Sequence, residues 1–451
     1  MTARAAIILA AGQGTRMKSA LPKVLHQVGG RAMLDWSIDL AQKVGCERII
    51  VVAGASGDAV QDHVRAKLGQ DALAIQDPPQ GTGHAVQCAE AALAGFDGDI
   101  VVLYGDTPLI PATAVQALFE ELRGGARVGV LAFEAAEPGA YGRLIRDAAG
   151  DLQAIVEAKE ATAEELAVTL CNSGVMAGGS ARLFELLSRV TNHNAKGEYY
   201  LTDVVGLAVQ DGAKCRAVTC AETDVLGVNS RVELAQAEAS FQARRRSAFL
   251  QAGVTMIAPE TVYFAYDTEV ENDVVIEPNV VFGPGVKIST GVRINGFSHI
   301  EGADIGSGAS VGPYARLRPG SVLESNVKVG NFVEMKNTRM GEGAKAGHLS
   351  YLGDGEIGSN TNIGAGTIFC NYDGFLKYKT TIGKGAFIGS NSALIAPVNI
   401  GDGAYVGSGT VVTKNVEENA LAVARPKLIQ KSGWATSFRD RMAEIKAAKK
   451  G

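Results

Sequence analysis

From Ile276 onward one aliphatic or aromatic side chain recurs every six residues, and this period restricts the fold more than any other feature of the chain. The series runs Ile276, Phe282, Ile288, Ile294 and Ile300, slips by one residue, and resumes with Ile305, Val311, Leu317, Leu323, Val329 and Met335. It returns at Ile357, Ile363 and Phe369, and again at Ile382, Ile388, Leu394, Ile400, Val406 and Val412. Glycine often follows directly, as in Ile305-Gly306, Val329-Gly330 and Ile388-Gly389, and 26 of the 55 glycines lie between Thr261 and Lys414. The strands of a β-sandwich would alternate with period two and vary in length. A period of six, with glycine at corners where positive φ is cheap, predicts three short strands per coil of a parallel β-helix. Residues 337–356 and 370–381 interrupt the period and are expected to loop out of the coil, where a rigid solenoid commonly carries its function.

This pattern resembles the left-handed hexapeptide-repeat β-helices. The first 228 residues read differently. Strand candidates at Ala5–Leu9, Arg48–Ala53, Ile100–Leu103 and Arg127–Phe133 alternate with helical stretches at Met33–Val44, His84–Ala94 and Ala112–Leu122. Such alternation predicts an α/β domain, a Rossmann-like, mostly parallel sheet with helices on both faces and its ligand beyond the carboxyl ends of the strands. The domains expected are therefore 1–228, a helical linker at 229–250, and a β-helix with a C-terminal tail at 251–451. In the linker, Leu234, Ala237, Phe241 and Ala248 form one apolar stripe, and Arg244-Arg245-Arg246 reads as a solvated, spacer-like face.

Charge and composition exclude several classes of function. Lys+Arg 43 against Asp+Glu 48 gives a formal charge of -5, so no basic surface advertises nucleic acid. No run approaches the ~20 apolar residues of a membrane span. The segment Ala5–Ala11 ends in Gly-Gln-Gly-Thr-Arg, a buried strand entering a loop rather than a signal peptide. Six cysteines are scattered without a CxxC pair, which suggests neither a disulfide framework nor a zinc cage. The expectation is a cytoplasmic protein with reduced thiols.

The first strand runs through Leu9, Ala10 and Ala11 into Gly12-Gln13-Gly14-Thr15-Arg16-Met17, with Pro22-Lys23 close behind. This is neither a full GxGxxG nor a P-loop, but its glycines suit a backbone approaching phosphate, with Arg16 and Lys23 able to neutralise charge. Tyr104-Gly105-Asp106 places a carboxylate at a strand's carboxyl end, where a hard oxygen ligand suits magnesium shared with substrate phosphates. The Leu-Ala-Ala-Gly-x-Gly-Thr-Arg-Met-x-Ser-x-x-Pro-Lys string resembles the signature of sugar-nucleotide pyrophosphorylases, which act on sugar 1-phosphates. That resemblance implies base recognition by Gln76 and the Gln80-Gly81-Thr82 loop, and acetamido-sugar contacts at Gly142, Glu157 and Asn172. It also implies that Asn229 joins Asp106 at the metal. The string Gly197-Glu198-Tyr199-Tyr200-Leu201-Thr202-Asp203 matches as well.

In the coil, Arg318 and Lys336 supply two cations suited to a phosphate, and His348 stands in the expected excursion as a candidate base. With these residues the resemblance extends over almost the whole chain, to the bifunctional bacterial N-acetylglucosamine-1-phosphate uridylyltransferase / glucosamine-1-phosphate N-acetyltransferase family. It implies acetyl transfer to glucosamine 1-phosphate with His348 as general base, then uridylyl transfer from UTP to N-acetylglucosamine 1-phosphate with Mg2+. It further implies that Arg318, Lys336, Tyr351 and Asn362 hold the amino sugar phosphate, and that Ala365, Asn371, Tyr372, Ser390, Ser408 and Arg425 contact acetyl-CoA. Ser408 stands where the family often has alanine, in a contact made by backbone. Glu334 reads either as an orienting carboxylate or as a surface charge. The family's coil is a homotrimer. The alternative is a single-activity nucleotidyltransferase whose coil only assembles or regulates it.

Overall fold

The computed structural model describes residues 2–12 and 14–449; Gln13, in the glycine loop, lies outside the described residues. The chain divides into two compact units, one running to Ala248 and including Phe264–Tyr266, the other comprising Phe249–Tyr263 and the chain from Asp267 onward.

In the first unit seven strands form the main path of a sheet: β1 (Arg4–Leu9), β2 (Arg48–Gly54), β3 (Leu73–Gln76), β4 (Asp99–Tyr104), β5 (Val128–Glu134), β6 (Leu170–Gly179) and β7 (Cys215–Cys220). Their order is β7-β5-β6-β4-β1-β2-β3. All neighbours are parallel except β6, which runs against both β4 and β5. Successive residues of a strand face opposite sides of a sheet, and β1 shows the consequence. Ala5, Ile7 and Leu9 join one core with Leu183, Leu186, Val204 and Val205, while Ala6, Ile8 and Ala10 join another with Leu34, Ile38, Val115 and Phe119. A near-continuous apolar run is thus what a strand covered on both faces requires. The helices supplying the second core include α1 (Met33–Lys43) and α2 (Ala112–Arg123).

Two expectations for this unit change. The stretch expected to be helical over His84–Ala94 is a short helix, Thr82–Gln87, followed by a 3-10 turn at Ala91–Leu93. The joining helix α3 (Arg231–Gln251) buries Ala237 and Phe241 against Met17, Val28, Met33 and Leu109, but Ala248 is exposed. Arg244 on that helix is not a spacer charge. It donates to the carbonyls of Leu109 and Thr223, both at 2.8 Å, and pairs with Asp224 at 2.7 Å.

The second unit is a parallel β-helix with three ladders of short strands. One ladder carries Val275, Arg293, Ser310, Lys328, Lys345, Asn362, Phe387 and Tyr405 in register. A second carries Val281, His299, Arg316, Glu334, Tyr351, Ile368, Ala393 and Val411. The third carries Glu269, Lys287, Asp304, Val322, Arg339, Glu356, Thr381 and Asn399. The residue after each of the first three of these on each ladder is an inward aliphatic or aromatic one, and the stack forms the core. Parallel pairing by six-residue steps with this hexapeptide signature is the fold expected from the period.

The segment 337–356 does not loop out, contrary to expectation. Met340, Ala346 and Leu352 are all 0% exposed and continue the inward stack. Seven-residue strands at Glu334–Met340 and Tyr351–Ile357 each turn a corner and belong to two ladders. The period looked broken because two steps, Met335 to Met340 and Leu352 to Ile357, are five residues long, and because Ala346 fills an inward position with little apolar bulk. The second interruption does leave the coil: between strands Ile368–Cys370 and Thr380–Ile382 the residues Tyr372–Lys377 are exposed, closed by a bridge from Tyr372 to Lys377.

The inward position of Leu352 gives a stability prediction. Leu352→Ala removes a fully buried side chain from a stack that cannot collapse, and should cost about 2–5 kcal/mol. Guanidinium unfolding followed on the coil should show that loss, whereas an unchanged midpoint would place Leu352 outside the core.

Candidate active sites

At the carboxyl ends of β1 and β4 the chain brings three distant residues together. Lys23 Nζ donates to Asp106 Oδ2 and, at 3.0 Å, to Asn229 Oδ1. Each is fixed by its backbone. Asp106 follows β4, and its carbonyl accepts from Val228 N at 2.9 Å, which docks the segment carrying Asn229 beside it. Asn229 N in turn donates to Glu233 Oε2 at 2.7 Å, in the first turn of α3. Gly14 is needed for Lys23: its φ is 62°, and a Cβ there would lie 2.6 Å from the Lys23 Cβ. Leu9 and Ala10 are buried at the strand end, Ala11 is half-buried, and Gly12 faces open space. Arg16 is exposed one residue before buried Met17.

The loop expected to read a base is stitched in place. Gln76 is buried and donates from Nε2 to Gly81 O at 2.9 Å. Gly83 N donates to Tyr199 O, and Tyr199 N to Gln80 O, each at 2.8 Å. Gly81 has φ 104°, and a Cβ would fall 2.6 Å from Tyr199 O, so this crossing of backbones requires glycine. Thr82, Tyr104, Glu157 and Asn172 line a cavity of about 230 Å³ with Gly174, Met176, Lys196, Tyr200 and Thr202. Gly142 is buried beside it and its carbonyl accepts from Asn172 N at 2.8 Å. The Tyr104 phenol is raised far above its ordinary pKa by burial, then by the charges of Asp106 and Glu157. Met176 and Lys196 of this lining carried no signal in the sequence, whereas Tyr200 and Thr202 stand in the matched string.

Asp106 and Asn229 are hard oxygen donors already converging on a cation, the Lys23 ammonium, and among the described residues no group of three His, Cys, Asp or Glu gathers to hold a metal. Two protein oxygens with the rest left to water and phosphate is a donor set that fits magnesium and not a dedicated cage.

A second cluster lies on the coil. Arg318 Nη1 pairs with Glu334 Oε1 at 2.9 Å, and Lys336 Nζ with Asp354 Oδ1 at 3.4 Å. Asp354 also accepts from Asn337 Nδ2 at 2.8 Å and Asn371 Nδ2 at 2.6 Å. Burial opposes its charge, but these amides and Lys336 together hold its carboxyl below the usual range. Tyr351 Oη and Asn371 Nδ2 both stand over Gly353, where a Cβ would meet them. Asp354 carried no role in the sequence reading; only the ladder register shows it as the acceptor that gathers Lys336 and Asn371.

His348 sits at the end of the coil strand Lys345–His348, not in an excursion, and is exposed. Its Nδ1 lies 2.6 Å from Asn331 Oδ1, its register partner on the preceding coil. The tautomer with its proton on Nδ1 donates to that amide oxygen and keeps the Nε2 lone pair free. Asn331, not Glu334, orients the imidazole; Glu334 is occupied by Arg318.

The remaining positions divide. Asn391 N donates to Ala365 O at 2.7 Å and Gly409 N to Ser390 O at 2.8 Å, which aligns Ala365, Ser390 and Ser408 on one edge with Arg425 beyond Gly409. Tyr372 is exposed on the loop. Asn362 lies on the ladder of Lys345, a different ladder from that of Glu334 and Tyr351, so one chain does not gather it with Arg318 and Lys336.

Residues 6–171 match the family model of the MobA-like NTP transferase domain, and residues 379–414 that of the bacterial transferase hexapeptide (six repeats). The chain is 62% identical over 446 residues to the bifunctional protein GlmU of Hyphomonas neptunium, covering 99% of this chain and 97% of that one. It is 57% identical over 436 residues to the bifunctional protein GlmU of Caulobacter vibrioides, covering 97% and 94%. Among solved structures it is similar to a UDP-glucose pyrophosphorylase complexed with UDP-glucose, at 20% identity and TM-score 0.43, over 54% of this chain and 100% of that one. Among the described residues no helix is long and apolar enough to cross a membrane.

Asp203, in the matched Leu-Thr-Asp string, makes a pH prediction. Burial, then the charges of Glu160 and Glu157, push its carboxyl up to about 6. A folded-state pKa above the unfolded value of ~3.9 means that the fold loses stability as pH rises through that interval. The melting temperature of Asp203→Asn relative to the parent should therefore rise between pH 4.5 and pH 8. A constant difference across that range would show that Asp203 is not perturbed.

Proposed function

The chain belongs to the GlmU family of bifunctional proteins, and from that membership and the two clusters we propose two successive reactions. The coil transfers the acetyl group of acetyl-CoA to glucosamine 1-phosphate, and the α/β unit then transfers uridylyl from UTP to N-acetylglucosamine 1-phosphate, releasing pyrophosphate. The observation that carries this reading is that the relatives match the chain across both units, so neither cluster is left without a counterpart.

In acetyl transfer the glucosamine ammonium must first lose a proton. Nε2 of His348 accepts it, since Nδ1 is committed to Asn331. The freed amine attacks the thioester carbonyl carbon, the C–S bond breaks, and coenzyme A leaves as its thiol, taking up the proton that the new amide nitrogen sheds. Arg318, Lys336, Tyr351 and Asn362 hold the sugar phosphate, while Ala365, Asn371, Tyr372, Ser390, Ser408 and Arg425 receive acetyl-CoA. In uridylyl transfer an oxygen of the sugar phosphate attacks the α-phosphorus of UTP, and the bond to pyrophosphate breaks. No protein nucleophile is needed, so positioning and charge neutralisation by Arg16 and Lys23 do the work. Gln76, Gly81 and Thr82 meet the base, and Gly142, Glu157 and Asn172 meet the acetamido sugar. Asp106 and Asn229 would hold magnesium, which neutralises phosphate charge when bound.

The coil also supports a homotrimer. The outward residues of two ladders turn apolar toward the C-terminus: Phe387, Tyr405 and Leu421 on one, Ile368 and Val411 on the other, each at least 37% exposed in the single chain. At the same level the third ladder is polar, with Thr381, Asn399 and the nearby Lys379–Glu356 pair. Two apolar faces and one polar face suit closed threefold packing, which would bring Asn362 of one copy toward the phosphate cations of another.

Two experiments test these readings. Asp106→Ala should abolish uridylyl transfer with acetyl transfer nearly unchanged, and His348→Ala should lower acetyl turnover ~10²–10⁴-fold with uridylyl transfer near normal. Loss of both activities in either folded variant would overturn the division of labour. Phe387→Glu combined with Tyr405→Glu should yield monomers by sedimentation that retain uridylyl transfer and lose acetyl transfer. A trimer that survives both charges would reject this interface.

A further inference from the structure

The Lys23 ammonium occupies the point where the two oxygens assigned to magnesium converge. It donates to Asp106 Oδ2 and, at 3.0 Å, to Asn229 Oδ1, and the Lys23 and Asp106 side chains are only 11% and 16% exposed. The placement is built into the backbone. Lys23 opens the 3-10 turn Lys23–Leu25 behind Pro22, its stem lies against Gly14, and the carbonyl of Asp106 is tied to Val228. The three groups come from the glycine loop, the end of β4 and the start of α3, so their meeting is a product of the fold and not of local sequence.

An ammonium and a divalent ion cannot share this pair of oxygens, because at such separations in a half-buried site they repel strongly. A lysine, however, is a point charge on a flexible four-carbon stem that readily exchanges one anionic partner for another. A triphosphate arriving at the glycine loop offers it several oxygens carrying more charge than one carboxylate and one amide. We propose that Lys23 is an internal counter-cation: it keeps the Asp106–Asn229 pair closed to metal until a nucleoside triphosphate draws the ammonium away. Metal is then loaded together with the nucleotide and not before it. This inference rests on the reading of Asp106 and Asn229 as the metal-holding pair, and adds to it an order of assembly and a second duty for Lys23.

The test is Mn2+ binding to the full chain without nucleotide, by titration calorimetry or by the electron paramagnetic resonance of free Mn2+. The parent should bind weakly. Lys23→Met keeps the stem and removes the charge, and should tighten Mn2+ binding by ~5–150-fold, the usual range for a coupling between two sites. Lys23→Arg keeps a cation and should stay weak. With UTP present the gap between parent and Lys23→Met should shrink, because the ammonium has already left. If Lys23→Met does not fold by circular dichroism, Lys23→Gln serves for the same measurement. A folded, charge-free variant that binds Mn2+ no more tightly than the parent overturns the counter-cation, provided Asp106→Ala weakens Mn2+ binding in the presence of UTP. If Asp106→Ala leaves that binding unchanged, the metal assignment itself falls, and the counter-cation with it.

Discussion

Parallel strand pairing is the constraint on which both units depend. A parallel strand cannot be joined to its neighbour by a tight turn, and in an open sheet it is covered on both faces. The first unit meets both demands with helices: residues of β1 alternate between two cores, each closed by helical side chains. The second avoids the tight turn without helices and covers only the inward face of its strands. Each strand's partner is the equivalent strand of the next coil, and the inward face is covered by the other two ladders. The same pairing rule therefore yields a sheet that gathers loops at one end and a coil that distributes them along its edges.

That difference sets where chemistry can occur. In the sheet, Asp106 sits at the carboxyl end of β4, and the loops after β1 and before α3 reach it from either side, so three groups far apart in sequence meet within bonding distance. In the coil the gathering is narrower, between neighbouring turns, as at Asp354. Residues meet only if they share a register position or a corner, as His348 meets Asn331 and Lys336 meets Asp354. A group on another ladder, such as Asn362, stays apart within one chain. The outward residues Phe387 and Tyr405 are apolar and exposed in the single chain, unlike the inward residues that follow them on the same strands.

The corrections have one physical origin. The interval 337–356 looks like an excursion in the sequence because the inward position needs only to be apolar and to fit, and Ala346 satisfies that with one methyl group. Five-residue steps are tolerated where a seven-residue strand bends round a corner instead of ending in a turn. Arg244 looks solvated in the sequence because the carbonyls of Leu109 and Thr223 that it meets lie elsewhere along the chain. Periodicity reports which side a residue faces, and says nothing of which polar groups from elsewhere complete its surroundings.

Local pattern alone determined the two architectures and the order of the units, because period six, apolar alternation and glycine spacing are imprinted residue by residue; most of the residues at the clusters came from the family resemblance instead. Lys23 and Asp106 are recognisable in the sequence as polar groups beside loops, whereas Asn229 is named only by the family resemblance. Only the tertiary structure decided that the lysine lies between the two oxygens, that Asn331 meets the imidazole of His348, and that Asp354 gathers Lys336 and Asn371. Those contacts span 83, 206, 17 and 18 residues. Over such separations a hydrogen bond depends on strand register and loop closure, which the packing of the whole unit fixes and no local period encodes.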